Sequence, residues 1–114
     1  MLDASSRFIA MSIRSTLVAF ALTASLATAA PATVEITGSA FQPGDITVAP
    51  GTTVVWTNRD EIPHTVTSST GKTLASKALD TGDHFEYTFA TAGDYTYYCL
   101  VHPFMTGIVH VRTP

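Results

Sequence analysis

Cysteine is almost missing from this chain. Cys99 stands alone, so no internal disulfide can staple the fold. Positive charge is also sparse, with six Lys and Arg against nine Asp and Glu in 114 residues and a formal net charge of −3. There is no basic run and no basic helix, which excludes a nucleic-acid interface built on cationic surface. No apolar run reaches the roughly 20 residues that span a bilayer. The longest, from Leu17 to Ala30, is interrupted by Thr23, Ser25 and Thr28. Internal repeats, heptads and low-complexity tracts are absent, and no stretch sustains the period of a long helix.

The first thirty residues do not read as domain sequence. Arg7 and Arg14 precede the apolar run, and Ala27-Thr28-Ala29 closes it with small residues. This is the charged, apolar and small-residue order of a secretory leader. Residues 1–29 are expected to be a signal peptide cut after Ala29, and Met11-Ser-Ile-Arg14 would by itself open a shorter version of it. Residues 30–114 are then the single domain. Arg59, Lys72, Lys77 and Arg112 face eight carboxylates there, a net charge of −4. An exported, periplasmic setting follows, with no stable membrane insertion once the leader is removed. A domain this small buries a limited fraction of its surface, so an added staple helps it.

What is present is alternation. Thr33–Ile36, Ile46–Val48, Thr53–Asn58, His64–Ser68, His84–Phe89, Tyr95–Cys99 and Ile108–Arg112 each read as a short strand, with turn residues between them. Phe41-Gln-Pro43-Gly44-Asp45 reads as a turn carrying one aromatic plug. From Ser69 to Asp83 the pattern weakens, and Leu74, Ala75, Ala78 and Leu79 suit a helical turn or a covering loop. About seven short strands predict an all-β, single-domain Greek-key β-sandwich.

An unpaired cysteine in an exported chain calls for a role as an intermolecular bridge, a buried inert thiol or a ligand. Cys99 is followed by His102 and Met105, three residues apart at each step. A tight loop with that spacing can fold a thiolate, an imidazole and a thioether around one point. His64, fixed by Pro63 at a loop–strand junction, is the upstream candidate for a fourth donor. A Cys-His-His set with a weak Met is the donor set of electron-transfer copper. Zinc accepts Cys and His but rarely Met. Of the other histidines, His84 opens a strand with no donor nearby. His110 is out of phase with Val109 and Val111 and is expected to face solvent; neither is assigned a role.

These residues also carry a family resemblance. Cys99-x-x-His102-Pro103-Phe104-Met105 resembles the short ligand loop of the cupredoxins, the type 1 blue copper proteins, in the form amicyanins have. Val54-Val-Trp56-Thr-Asn58-Arg59 with Pro63-His64 is similar to the family's first-ligand segment. Phe41-x-Pro43, Ile46-x-Val48, Gly51-x-x-Val54-x-Trp56 and Gly93-x-Tyr95-x-Tyr97-x-Cys99 match its general pattern. Thr65 departs from it, standing where amicyanins and plastocyanins have an Asn that ties the ligand loops together. Leu100-Val101 also makes the loop more apolar.

The resemblance implies a cupredoxin-like sandwich holding one type 1 copper ion per chain at His64, Cys99, His102 and Met105. It implies a monomeric one-electron carrier, not an enzyme, with the His102 ring edge near the surface. Leu100, Val101, Pro103 and Phe104 suit an apolar docking patch around it. Redox proteins would dock there, a periplasmic dehydrogenase as donor and a c-type cytochrome as acceptor. The alternative from another class is copper storage or delivery, which favours open, exchangeable Met/His or Cys-x-x-Cys sites. Multicopper enzymes built from such domains typically use His-x-His pairs, and none occurs here.

Overall fold

Alternation of inward apolar and outward polar residues decides the architecture. The computed structural model describes residues 30–114; the expected leader, residues 1–29, lies outside them. Strand β1 (Ala32–Thr37) buries Val34 and Ile36 and turns Thr33 and Glu35 outward. Gly38 and Ser39 then take positive φ angles of 60° and 53°. Two such residues in succession make a tight turn whose twist suits a hairpin. β2 (Ala40–Gln42) returns antiparallel to β1 and brings Phe41 into the core. The expected turn over Phe41–Asp45 is therefore partly a strand, too short for its period to show in the sequence.

β3 (Asp45–Val48) and β4 (Thr52–Asn58) follow, joined across Pro50-Gly51. β4 alternates without a fault: Thr52, Val54, Trp56 and Asn58 are buried and the residues between them are not. β5 is only Thr67–Ser68. Alternation over His64–Ser68 predicts a longer strand, but its first half leaves the sheet. His64 bridges Leu79 and Thr67 bridges Ala75. The weakly patterned stretch thus becomes a covering loop, which tucks Leu74 and Leu79 into the core. β6 (His84–Phe89), β7 (Gly93–Tyr98) and β8 (Thr106–Val111) complete the chain.

Among the described residues, eight strands form two four-stranded sheets, ordered β2-β1-β4-β6 and β3-β8-β7-β5. β1 with β4, and β3 with β8, run parallel, and the other neighbours run antiparallel. Parallel neighbours cannot be joined by a tight hairpin, so the chain crosses between sheets. The core fills the space between the two inner faces. Trp56 sits near its middle, edge-on to Tyr97 at 5.5 Å and tilted against Phe85 at 5.8 Å and Phe89 at 6.3 Å. Burying one large apolar side chain fully contributes about 1.5–3 kcal/mol, and aromatic edges add to that. Tyr97 lies against Gly107, leaving no room for even a methyl group. A Cβ placed there would lie 2.7 Å from Tyr97 Cε2 and closer still to Cζ and the phenolic oxygen.

His110 departs from its expected exposure. Its side chain keeps only 19% of its surface. It lies between Asp45 on β3, at 3.0 Å from Nε2, and Asp94 on β7, at 2.7 Å from Nδ1. Arg112 reaches the same Asp94 oxygen at 3.3 Å. The alternation puts His110 on the outer face as expected, but the neighbouring strands place two acids there to cover it.

Candidate metal centre

Two segments meet at one end of the sandwich. The first is the loop that leaves β4 and arrives at His64. Asn58 is completely buried and braces this loop, donating from Nδ2 to the Ile62 carbonyl at 2.9 Å and to the Leu79 carbonyl at 2.8 Å. His64 then exchanges two backbone hydrogen bonds with Leu79, of 3.1 and 2.8 Å. The histidine is held at a fixed point and is itself fully buried.

The second segment is the loop between β7 and β8. Cys99 continues the inward phase of Tyr95 and Tyr97. The chain then doubles back: the Cys99 N–H donates to the Met105 carbonyl at 3.1 Å, and the Met105 N–H donates to the His102 carbonyl at 2.8 Å. These two bonds close the seven-residue span Cys99–Met105 into a ring. Cys99 and Met105 belong to its buried side. Leu100, Val101 and Phe104 lie on its outer side, 56%, 55% and 74% exposed.

The donors converge. One ring nitrogen each from His64 and His102 and the Cys99 sulfur all lie within 4.8 Å of one another. His64 Nδ1 is 3.8 Å from Cys99 Sγ, and the two imidazole rings are 5.2 Å apart at a 53° tilt. His102 Nδ1 is buried and has no hydrogen-bond partner. A buried polar atom left without a partner needs an explanation, and an ion is one of the few available. Met105 is backbone-tied to both Cys99 and His102, so all four expected residues belong to one place. His84, by contrast, is exposed at the start of β6.

The sulfur is prepared as a thiolate. Burial pushes the Cys99 thiol up, but the backbone hydrogen bonds from Thr65, His102 and Val101 act against it, and the thiol is lowered overall. The Thr65 N–H is 3.3 Å from Sγ. Since the thiolate is the metal-binding form, a sulfur poised this way is ready to ligate near neutral pH.

Thr65 answers the departure noted in the sequence. Its Oγ1 accepts a 2.9 Å hydrogen bond from the Leu100 N–H and lies 3.0 Å from Thr67 Oγ1. A hydroxyl therefore makes the side-chain tie between the two loops, beside the backbone bond to the sulfur.

Two other parts of the site are not legible from sequence alone. Asp60 Oδ2 lies 2.8 Å from His64 Nε2, and the Asp60 carboxylate also accepts from the Ser39 and Gly38 amides. Its pKa is lowered, first by the Ser39 hydrogen bond, against a smaller rise from burial. The sequence signal was an acid four residues before the histidine, which by itself means little. Ile62, two residues before His64 on the first loop, is an exposed apolar side chain, 44% exposed.

Comparisons with known proteins agree with this site. Residues 29–112 match the family model described as copper binding proteins, plastocyanin/azurin family. The chain is 33% identical over 117 residues to amicyanin-alpha of Methylorubrum extorquens, covering 90% of this chain and 98% of that one. The crystal structure of amicyanin from Paracoccus versutus superposes with a TM-score of 0.68 at 31% identity, covering 74% of this chain and 83% of that one. A copper-containing nitrite reductase from Thermus scotoductus superposes equally well, with a TM-score of 0.68 at 30% identity. There the match covers 75% of this chain but only 23% of the reductase.

Proposed function

Because the chain belongs to the copper binding proteins of the plastocyanin/azurin family, we propose that it is an exported one-electron carrier holding one copper ion at His64, Cys99, His102 and Met105. The observation that carries this reading is the convergence of one donor atom each from His64, Cys99 and His102 within 4.8 Å. Thiolate and thioether are soft donors and select copper over zinc, whose sites rarely include Met. The bound ion supplies a one-electron Cu(II)/Cu(I) couple.

The chain's own contribution is to keep the donors still. Electron transfer is fast when the two oxidation states need little rearrangement. His64 is fixed by its backbone pair with Leu79, and Cys99 and Met105 by the hydrogen-bonded ring of their loop. Thr65 locks the two segments together through one backbone and one side-chain bond. Full burial of His64 and Cys99 keeps water away from them. This closed arrangement supports retention over the open, exchangeable sites that storage or delivery favours.

His102 is the partly exposed member of the set, and its ring packs edge-on to Phe104 at 5.8 Å. Leu100, Val101, Pro103 and Phe104 make an apolar surface around it. Exposed patches of this kind mark docking sites, and carrier encounters are small and weak. Redox proteins would dock here, by family resemblance a periplasmic dehydrogenase as donor and a c-type cytochrome as acceptor. The leader over residues 1–29 would deliver the domain, residues 30–114, to the periplasm as a monomer. No helix among the described residues is long and apolar enough to cross a membrane. We read a carrier and not an enzyme: the chain spans only 23% of the nitrite reductase it resembles and has no His-x-His pair.

The test is to titrate the copper-free protein with Cu(II) and record the visible spectrum, then repeat with Cys99→Ser. An intense blue thiolate-to-copper band is expected, absent in the variant. Bound copper without that band would turn the reading to storage or delivery.

A further inference from the structure

We propose that Asp60 is a positioning residue for this centre: its carboxylate fixes His64 as the Nε2–H tautomer, turns Nδ1 toward the other donors, and lowers the reduction potential. The inference rests on the copper reading above. An ionised carboxylate can only accept hydrogen bonds. The 2.8 Å contact between His64 Nε2 and Asp60 Oδ2 therefore requires the proton on Nε2. Nδ1 is left with a free lone pair, 3.8 Å from the Cys99 sulfur. The ring is fully buried, so bulk solvent does not reach either nitrogen.

Asp60 can impose this because it is itself held from several directions. Its Oδ1 accepts from the Gly38 N–H at 2.7 Å and its Oδ2 from the Ser39 N–H at 2.8 Å. Its own N–H donates to Asn58 Oδ1 at 2.9 Å, and its carbonyl accepts from Thr81 Oγ1 at 2.6 Å. The two amides come from the tight β1–β2 turn, where successive positive φ angles of 60° and 53° aim both N–H groups at one carboxylate. A hairpin more than twenty residues upstream thus grips the acid that grips the ligand. No carboxylate reaches His102 in this way among the described residues.

An anion hydrogen-bonded to a ligating imidazole orients the ring and raises its basicity. A more basic ligand favours the more highly charged metal state. Removing the charge should therefore favour Cu(I).

Two measurements on protein made from the full chain test this, using Asp60→Asn, Asp60→Ala and Asp60→Glu. The first is the midpoint potential, titrated spectrophotometrically against a small-molecule redox couple. Asp60→Asn is expected to shift the one-electron equilibrium tenfold toward the reduced form, about 59 mV upward. Asp60→Glu is expected to return it to within about threefold of the parent, since about 30 mV is threefold for one electron. The second is the ¹⁵N spectrum of the His64 ring in the copper-free protein. A single Nε2–H tautomer is expected in the parent and in Asp60→Glu, and a mixture in Asp60→Ala. Unchanged potential and unchanged tautomer in Asp60→Asn and Asp60→Ala would overturn the proposal and leave Asp60 a loop brace, whatever the loss of thermal stability. Should Asp60→Ala not fold, the potential of Asp60→Asn decides. Should no variant nor the parent show a copper couple, the copper reading fails, while the ring spectrum still judges the tautomer claim.

Discussion

Replacing Thr65 by Val keeps the shape of the side chain and removes one oxygen, which makes it a sharp probe of the bond between the two loops. In the parent, Oγ1 accepts from the partly buried Leu100 N–H at 2.9 Å and pairs with Thr67 Oγ1 at 3.0 Å. The variant leaves an amide with no acceptor, and such a loss costs about 1–3 kcal/mol. The added methyl group recovers part of this, about 0.8 kcal/mol if fully buried. A net destabilisation of about 1–2 kcal/mol is expected. For a domain of this size, 1 kcal/mol moves the melting temperature by about 4–8 °C, so the variant should melt roughly 5–15 °C lower. The assay is thermal unfolding of the copper-free protein followed by circular dichroism, with Thr65→Ser as the control that keeps the hydroxyl. The Thr65 N–H to Cys99 Sγ bond is a backbone bond and survives in both variants. A Thr65→Val protein as stable as the parent would refute the reasoning. So would a Thr65→Ser protein that loses as much as Thr65→Val.

Two further outcomes follow from packing and charge. Gly107→Ala should be destabilised by about 1–3 kcal/mol, since the new methyl group must displace the buried Tyr97 ring; chemical denaturation with an unchanged midpoint would count against it. His110 has its pKa raised, first by the hydrogen bond it donates to Asp94 and then by that to Asp45, against a fall from burial, with Arg112 beside it. A raised folded pKa means the stabilisation is complete below the unfolded value of about 6.5 and is lost as pH rises through the folded value. Unfolding midpoints should therefore decline across that interval in the parent and stay flatter in His110→Gln, and equal slopes would refute the assignment.

What could be read in the sequence was what is local. Cys99, His102 and Met105 lie on one short loop, so their chemistry is visible as spacing. The inward phases of β1, β4, β6, β7 and β8 are visible because each runs long enough for alternation to show. His64 was found because Pro63 and the strand after it marked a rigid junction. What was hidden depends on contacts across the chain. His64–Val66 alternates like a strand, yet the loop at Ser76 and Leu79 captures its backbone. Asp60 is unremarkable until Gly38 and Ser39, 22 and 21 residues away, aim their amides at it. His110 faces outward as its phase requires, but Asp45 and Asp94 reach it from separate strands. The site's first donors were legible, and the groups that hold those donors were not.

The strand order of the second sheet sets a schedule for assembly. β8 begins immediately after Met105 and lies between β3 and β7. Until β8 has emerged, β3 has no neighbour in its sheet, and the loop from Cys99 to Met105 is anchored at one end only. A chain that appears vectorially, from a ribosome or through a narrow translocation channel, therefore exposes His64 long before it can enclose Cys99. The three donors of the second loop arrive together and are clamped within a few residues of one another. The centre can therefore be completed only once β8 is in place beside β3 and β7.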